Sequence, residues 1–219
     1  FIETSLYSLG LTNIKIICTS NDKRIIHIVK EKYAGKIIPV IRGESLSGDA
    51  ITLESVIIHA VQEITHKTKQ IVSKRSKYIL LQPTSPVRVE EDLTCFCQRF
   101  INIKREFSLI SANERYKDFK DIYSLNKFDD LNEISWVVGD KLYERNKSSN
   151  KTAFIDGSIY SGEINSLKRN SFIPNNKTLV FFQCVPWSVD IDTEKDFYEA
   201  VITLSTFKDR GLKVVEPEI

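Results

Sequence analysis

A chain of 219 residues, 42% hydrophobic and 27% charged, is long enough for one substantial globular domain and is neither a fibre nor a disordered tail. Its 31 basic and 29 acidic residues leave a formal charge of +2 and are interspersed, which favours neither nucleic acid nor a membrane surface as partner. No apolar run approaches the roughly 20 residues that span a bilayer, and the first residues are amphipathic, so the expectation is a soluble, cytoplasmic protein.

The chain opens at Phe1 and contains no Met, which suggests a fragment whose upstream residues were removed or never recorded. Residues 1–9 have the pattern of a helix end stopped at Gly10. Residues 14–18 then read as a buried strand that closes on the polar run Thr19-Ser20-Asn21-Asp22. Ile25, Ile26, Val29 and Tyr33 recur at helical spacing, with Gly35 as cap, and "KIIPVIR" is a strand ending at Arg42. After the loop "GESLSGDAIT", Thr52 can cap a helix running to about His66, with Val56, Ile57, Ala60, Val61 and Ile64 as its core stripe. "YILLQ" is a strand buried on both faces, which the Pro-Thr-Ser-Pro after Gln82 cannot continue. Ser85 then serves as N-cap of the next helix, with Pro86 at its first position and Glu90, Glu91 and Asp92 complementing its dipole.

This alternation of strands and helices predicts an α/β fold with a doubly wound, mostly parallel sheet and ligands outside the carboxyl ends of its strands. Residues 107–112 give another strand, whereas residues 115–150 are polar and lysine-rich with weak strands ("DIYSLN", "ISWVVGD"), suggesting an inserted lobe. "AFIDGSIYSGEI" and residues 178–185 restore regular structure, and the last helix carries a stripe of Phe197, Ala200, Val201 and Leu204. Cys18, Cys95, Cys97 and Cys184 lack metal-ligand spacing and read as reduced thiols. The histidines, His27, His59 and His66, lie in helical patterns without a Ser or Asp partner, which disfavours a catalytic triad.

The polar candidates gather at strand ends. Asp190-Ile191-Asp192 is the sharpest, because residues i and i+2 of an extended chain face the same way and bring two carboxylates together. Such a pair suits Mg²⁺, which keeps several waters and bridges one or two carboxylates to nucleotide phosphates. A cap of the last helix by Asp192 or Thr193 accounts for the spacing equally well. Gln82 offers the donor and acceptor that a base edge or ribose hydroxyl requires, or it bonds nearby backbone. Arg42 could fork onto a carbonyl or phosphate, or it pairs with Glu44 or Asp49.

"LLQPTSPVR", "RGESLSGDAITLESVIIHAV", "DGSIYSGEI" and "SVDIDTEKDF", in this order over nearly the whole chain, resemble the acylneuraminate cytidylyltransferase family, the synthetases of CMP-sialic acid and related nonulosonic acids. The resemblance implies a nucleotide-diphospho-sugar transferase type of fold in a single domain over residues 1–219. It implies transfer of CMP from CTP to the anomeric hydroxyl of a sialic or related nonulosonic acid, with Mg²⁺ and release of pyrophosphate. It also implies a homodimer formed through a small lobe at 115–150. Arg42 and Gln82 match positions that recognise cytidine, Asp49 and Thr52 match the loop beside them, and Asp190 and Asp192 match the metal-binding, catalytic aspartates. Tyr160 matches the tyrosine that lies against the sugar, while Lys120 and Arg145 match basic residues that bind its carboxylate. Asp156 stands where that segment usually has asparagine, so either the sugar contact differs or Asp156 points elsewhere. The family's N-terminal strand and triphosphate-binding loop have no counterpart here, which implies a gap beside the nucleotide pocket. It also implies a chain that binds CTP hardly better than CMP and is inactive as a synthetase by itself. Two rivals stand beside this reading: a cytidylyltransferase for another 2-keto-3-deoxy sugar acid, against which "QPTSPVR" and "DIDTEKDF" speak, and a non-catalytic nucleotide-binding or dimerisation module.

Overall fold

The computed structural model describes residues 11, 13–48, 50–103, 107–113, 122–128, 131–136, 152–168, 178–183 and 189–214, without the side chains of 122–128, 131–136, 152–154 and 168. The helix expected at 1–9, and Asp49, Lys120, Arg145 and Cys184, lie outside the described residues. Contacts gather the chain into two compact units, one built on Leu6–Lys77 with Glu163–Ile173, the other on Tyr78–Gly162 with Pro174–Ile219.

In the first unit β1 (Ile16–Ser20) and β2 (Ile37–Ile41) pair in parallel from Ile16↔Ile37 to Ser20↔Ile41. The intervening helix α1 (Lys23–Lys32) starts at Asp22, whose side chain accepts a hydrogen bond from the Arg24 amide, and Gly35 (φ +77°) turns the chain after its end. Ile26 and Val29 are buried, but Ile25, expected in the core, is exposed, because the helix covers a two-stranded sheet with a stripe only one residue wide. Helix α2 (Leu53–Thr68) begins at Thr52 as expected, with Val56, Ile57, Ala60 and Ile64 buried. Pro39 sits in β2, where its missing N–H is tolerable in a strand paired on one side, and its carbonyl accepts from Lys67 Nζ at 2.6 Å.

The second unit is a six-stranded sheet in the order β3-β7-β4-β8-β6-β5, with β7 also paired to β5. Its strands are β3 (Lys77–Leu81), β4 (Ser108–Asn113), β5 (Ile122–Phe128), β6 (Leu131–Trp136), β7 (Thr152–Glu163) and β8 (Thr178–Phe182). β4 and β8 run parallel, while β4–β7, β5–β6, β5–β7 and β6–β8 are antiparallel. The antiparallel pairs thus enter through β5, β6 and β7, where the sequence departs from strand-helix alternation. The strands of the expected lobe join this sheet, with Asn132 and Glu133 opposite Val180 and Leu179.

Both faces of the central pair are apolar, as buried parallel strands require. On one, Leu93, Phe96 and Phe100 of α3 (Glu90–Asn102) pack with Leu109, Ile159, Leu179 and Phe181, and the Phe96 and Phe181 rings meet edge to face with centroids 5.5 Å apart. On the other lie Ile110, Ala112 and Val180. A third cluster joins Val87, Val89 and Val189 to Ala200 and Phe207 of α4 (Glu194–Asp209).

That third cluster corrects two expectations. Ser85 does not cap α3; the chain stays extended through Val87 and Val89, which are buried, and Glu90 N donates to Lys213 O at 2.9 Å before the helix begins. Burial of the two valines outweighs the local Ser-Pro signal. In α4 the inward stripe is Ala200, Leu204 and Phe207, whereas Phe197 and Val201 are exposed. Cys18, Cys95 and Cys97 are free thiols, and burial pushes Cys97 up to about 11. Among the described residues no helix is long and apolar enough to cross a membrane.

Candidate functional site

The site grows from an irregularity in β7. Its register with β4 passes from Ala112↔Ile155 to Ile110↔Tyr160, so four residues of β7, Asp156 to Ile159, lie opposite Ser111 alone. Gly157 takes φ +75° there, a conformation in which a side chain would be strained. Ser111 fills the bulge: its Oγ donates to Asp156 Oδ1 at 2.5 Å and accepts from Ile159 N at 2.8 Å.

Asp156 is turned inward and is only 4% exposed. Besides Ser111, its Oδ1 accepts from Ser158 N at 2.9 Å, and its Oδ2 accepts from Gln183 Nε2 at 2.7 Å. Burial raises its pKa, against the pull of these three hydrogen bonds and of the Arg88 charge. Of the two alternatives the sequence left open, this geometry has the carboxylate turned into the protein, where it holds the bulge together.

Arg88 closes the other side. Its Nη2 donates to Gln82 O at 2.5 Å and to Ser158 O at 3.3 Å, while Gln82 N donates to the same Ser158 carbonyl at 3.2 Å. Burial brings its pKa down to about 10 despite the neighbouring Asp156, so it remains cationic at neutral pH. Gln82 therefore stands directly after β3 with its backbone fixed on both sides, and its Oε1 is within 3.4 Å of Thr84 Oγ1.

Thr84 O in turn accepts from Ile191 N at 2.7 Å, which docks the aspartate pair on the same strand end. Val189 and Ile191 both join the third apolar cluster, so alternation directs Asp190 and Asp192 away from it. Thr193 caps α4 with a reciprocal capping box: its Oγ1 accepts from Asp196 N at 3.3 Å, and Asp196 Oδ2 accepts from Thr193 N at 2.9 Å. The cap is thus Thr193, leaving Asp192 exposed and outside that role. Asp190 Oδ1 is buried and meets no hydrogen-bond partner among the described residues. A Cβ placed on Gly157 would lie 3.7 Å from Asp190 Oδ2 and 4.0 Å from Tyr160 Oη, so these two groups converge over the bare glycine.

In the first unit Arg42 follows β2, its N–H donating to Ser20 O at 2.9 Å. Its guanidinium charge partly offsets the burial that raises the Cys18 pKa, and its buried Nε meets no partner among the described residues. Thr52 is engaged as the α2 cap, its Oγ1 accepting from Ser55 N at 3.4 Å. Among the described residues no three His, Cys, Asp or Glu side chains gather in a way that could hold a metal ion. A Mg²⁺ ion would find at most the two carboxylates of Asp190 and Asp192, which fits a hard cation that keeps its waters and binds through one or two carboxylates and phosphate. The unsatisfied, buried Asp190 Oδ1 is the acceptor such an ion or its water would meet.

Sequence reasoning missed Ser111, Arg88 and Gln183. Only Arg88 had any signal, as the last residue of "LLQPTSPVR".

No family model matches the chain, and no curated protein matches it. Among solved structures, CMP:2-keto-3-deoxy-manno-octonic acid synthetase complexed with CTP is similar over 94% of this chain and 88% of its own, with TM-score 0.60 and 13% identity. HddC from Yersinia pseudotuberculosis is similar over 92% of this chain and 83% of its own, with TM-score 0.53 and 18% identity. The chain has the fold of the nucleotide-diphospho-sugar transferases. At these identities the likeness is one of fold.

Proposed function

We propose that this protein is a cytidylyltransferase that moves CMP from CTP to the anomeric hydroxyl of a sialic or related nonulosonic acid, releasing pyrophosphate. The observation that supports the reading is the meeting of Asp190 Oδ2 and Tyr160 Oη over Gly157 in the β7 bulge, next to Ser158, whose carbonyl accepts from Gln82 N. The family resemblance assigns Gln82 and Arg42, together with Asp49 and Thr52, to the cytidine nucleotide. Asp190 and Asp192 hold Mg²⁺, which when bound neutralises charge on the phosphates. Tyr160 lies against the sugar, and Lys120 and Arg145 bind its carboxylate. Such a transfer needs little covalent help from the protein, because holding both reactants in line removes much of the barrier. A homodimer built through residues 115–150 belongs to the same proposal.

The fold likeness to CMP:2-keto-3-deoxy-manno-octonic acid synthetase favours a second reading, in which the acceptor is another 2-keto-3-deoxy sugar acid. Pyrophosphate release from CTP and Mg²⁺, with a panel of nonulosonic and octulosonic acids, decides between the two. Release that depends on a nonulosonic acid supports the first reading, and release with the octulosonic acid alone supports the second. Cytidine nucleotide binding with no release from any acid sinks both and leaves a non-catalytic binding module.

A further inference from the structure

We infer that Arg88 is a positioning residue that sets base selectivity by fixing the end of β3, an inference that rests on the cytidine reading of Gln82. One guanidinium nitrogen donates to two carbonyls from different strands, that of Gln82 and that of Ser158. Without it, the junction between the end of β3 and the β7 bulge is left with the Gln82 N–H to Ser158 O bond and the Ser85 N–H to Gln82 O turn, both 3.2 Å long. Gln82 has little else to hold it: Pro83 follows with no N–H to give, and among the described residues the Gln82 side chain meets only Thr84 Oγ1 at 3.4 Å. Rotation of this residue would carry the amide away from any ligand edge it reads. It would also pull on Thr84, whose carbonyl takes the Ile191 N–H and so positions Asp190 and Asp192.

The residue type fits the task. A planar guanidinium donates in fixed directions to two acceptors, whereas an ammonium on a flexible stem serves as a point charge. Asp156, clamped in the same bulge by Ser111, Ser158 and Gln183, supplies the opposite charge that keeps the cation in place without a direct ion pair. The Nη2 contacts are to backbone carbonyls, so Arg88 acts on the Gln82 main chain, while its buried Nε meets no partner among the described residues.

The test uses CMP and UMP as probes, titrated calorimetrically into the 219-residue chain and into R88Q, R88K, Q82A and the R88Q/Q82A double variant. Expected is a CMP preference in the unsubstituted chain that Q82A largely abolishes and R88Q lowers by roughly ten-fold, the scale of leaving a buried group unpaired. R88K, which keeps the charge and one donor, should fall between, and it decides the matter if R88Q does not fold. In the double variant the preference should equal that of Q82A alone, because the two residues act through one group. Hydrogen exchange at the Gln82 amide should quicken in R88Q while amides of α3 stay protected. A merely structural arginine would weaken both nucleotides alike, leave their ratio intact, and give losses that add in the double variant; any of these overturns the inference. An unsubstituted chain without CMP preference overturns the cytidine reading itself, and this inference with it.

Discussion

Replacing Asp156 by alanine would remove the acceptor on which the β7 bulge is built. Its carboxylate takes hydrogen bonds from Ser111 Oγ, Ser158 N and Gln183 Nε2, and among the described residues only Ser111 of these donors has another acceptor within reach, Ile159 O at 3.3 Å. Ser158 N is then left buried without this acceptor at about 1–3 kcal/mol, and the half-buried Gln183 Nε2 loses its bond at a smaller cost, so D156A should cost roughly 2–4 kcal/mol. That is a large share of the ~5–15 kcal/mol that holds a domain together. Asparagine keeps the Oδ1 contacts to Ser111 and Ser158, and a half-turn of the Gln183 amide restores the third, so D156N should stay within about 1.5 kcal/mol of the natural chain. The two also differ in pH dependence. An acid held above its ordinary value binds its proton more tightly folded than unfolded, so stability falls as pH rises from 3.8 through the folded value. That decline should be present in the natural chain and absent from D156N. Urea denaturation between pH 3 and 7 measures both effects. Unchanged stability in D156A, or an identical pH slope in D156N, would refute the assignment of Asp156 as the keystone of the bulge.

Three further perturbations follow from the same geometry. Gly157→Ala meets no atom closer than 3.7 Å, so its cost should be the backbone's alone, about 1–2 kcal/mol, and a calorimetric melt showing no loss would contradict the left-handed turn. Thr193→Ala removes half of the α4 capping box and should cost ~1 kcal/mol, read as a fall of roughly 2–4 °C in Tm, with CMP binding unaltered. Asp192→Asn should leave the melt unchanged, since the residue is exposed and caps nothing, but cut the proposed cytidylyl transfer by orders of magnitude; near-normal turnover would remove it from the metal site.

The helices of the first unit were legible because each buries one face. Ile26 and Val29, then Val56, Ile57, Ala60 and Ile64, carry helical spacing that survives in the folded chain. Where a helix is apolar on two sides, spacing does not choose between them, and α4 turned Ala200 and Phe207 inward instead of Phe197 and Val201. The strand ends at Arg42 and Gln82 followed from the polar residues that interrupt apolar runs, whereas Asp190 lies in an irregular segment. The bulge could not be seen, because it is a property of the register between β7 and β4 and depends on Ser111, more than forty residues away in sequence. Arg88 was hidden for a related reason: a residue assigned to a helical first turn was in an extended segment, from which its side chain reaches back to β3 and β7.

Amide chemical shifts of the isotope-labelled chain, titrated with CMP and then with UMP, test the strand-end site most directly. If Gln82, the Gly157 turn, Tyr160 and Asp190 form a cytidine nucleotide site, their amides should shift together and saturably with CMP and only weakly with UMP. Shifts that fall elsewhere, or that are equal for the two nucleotides, would contradict it.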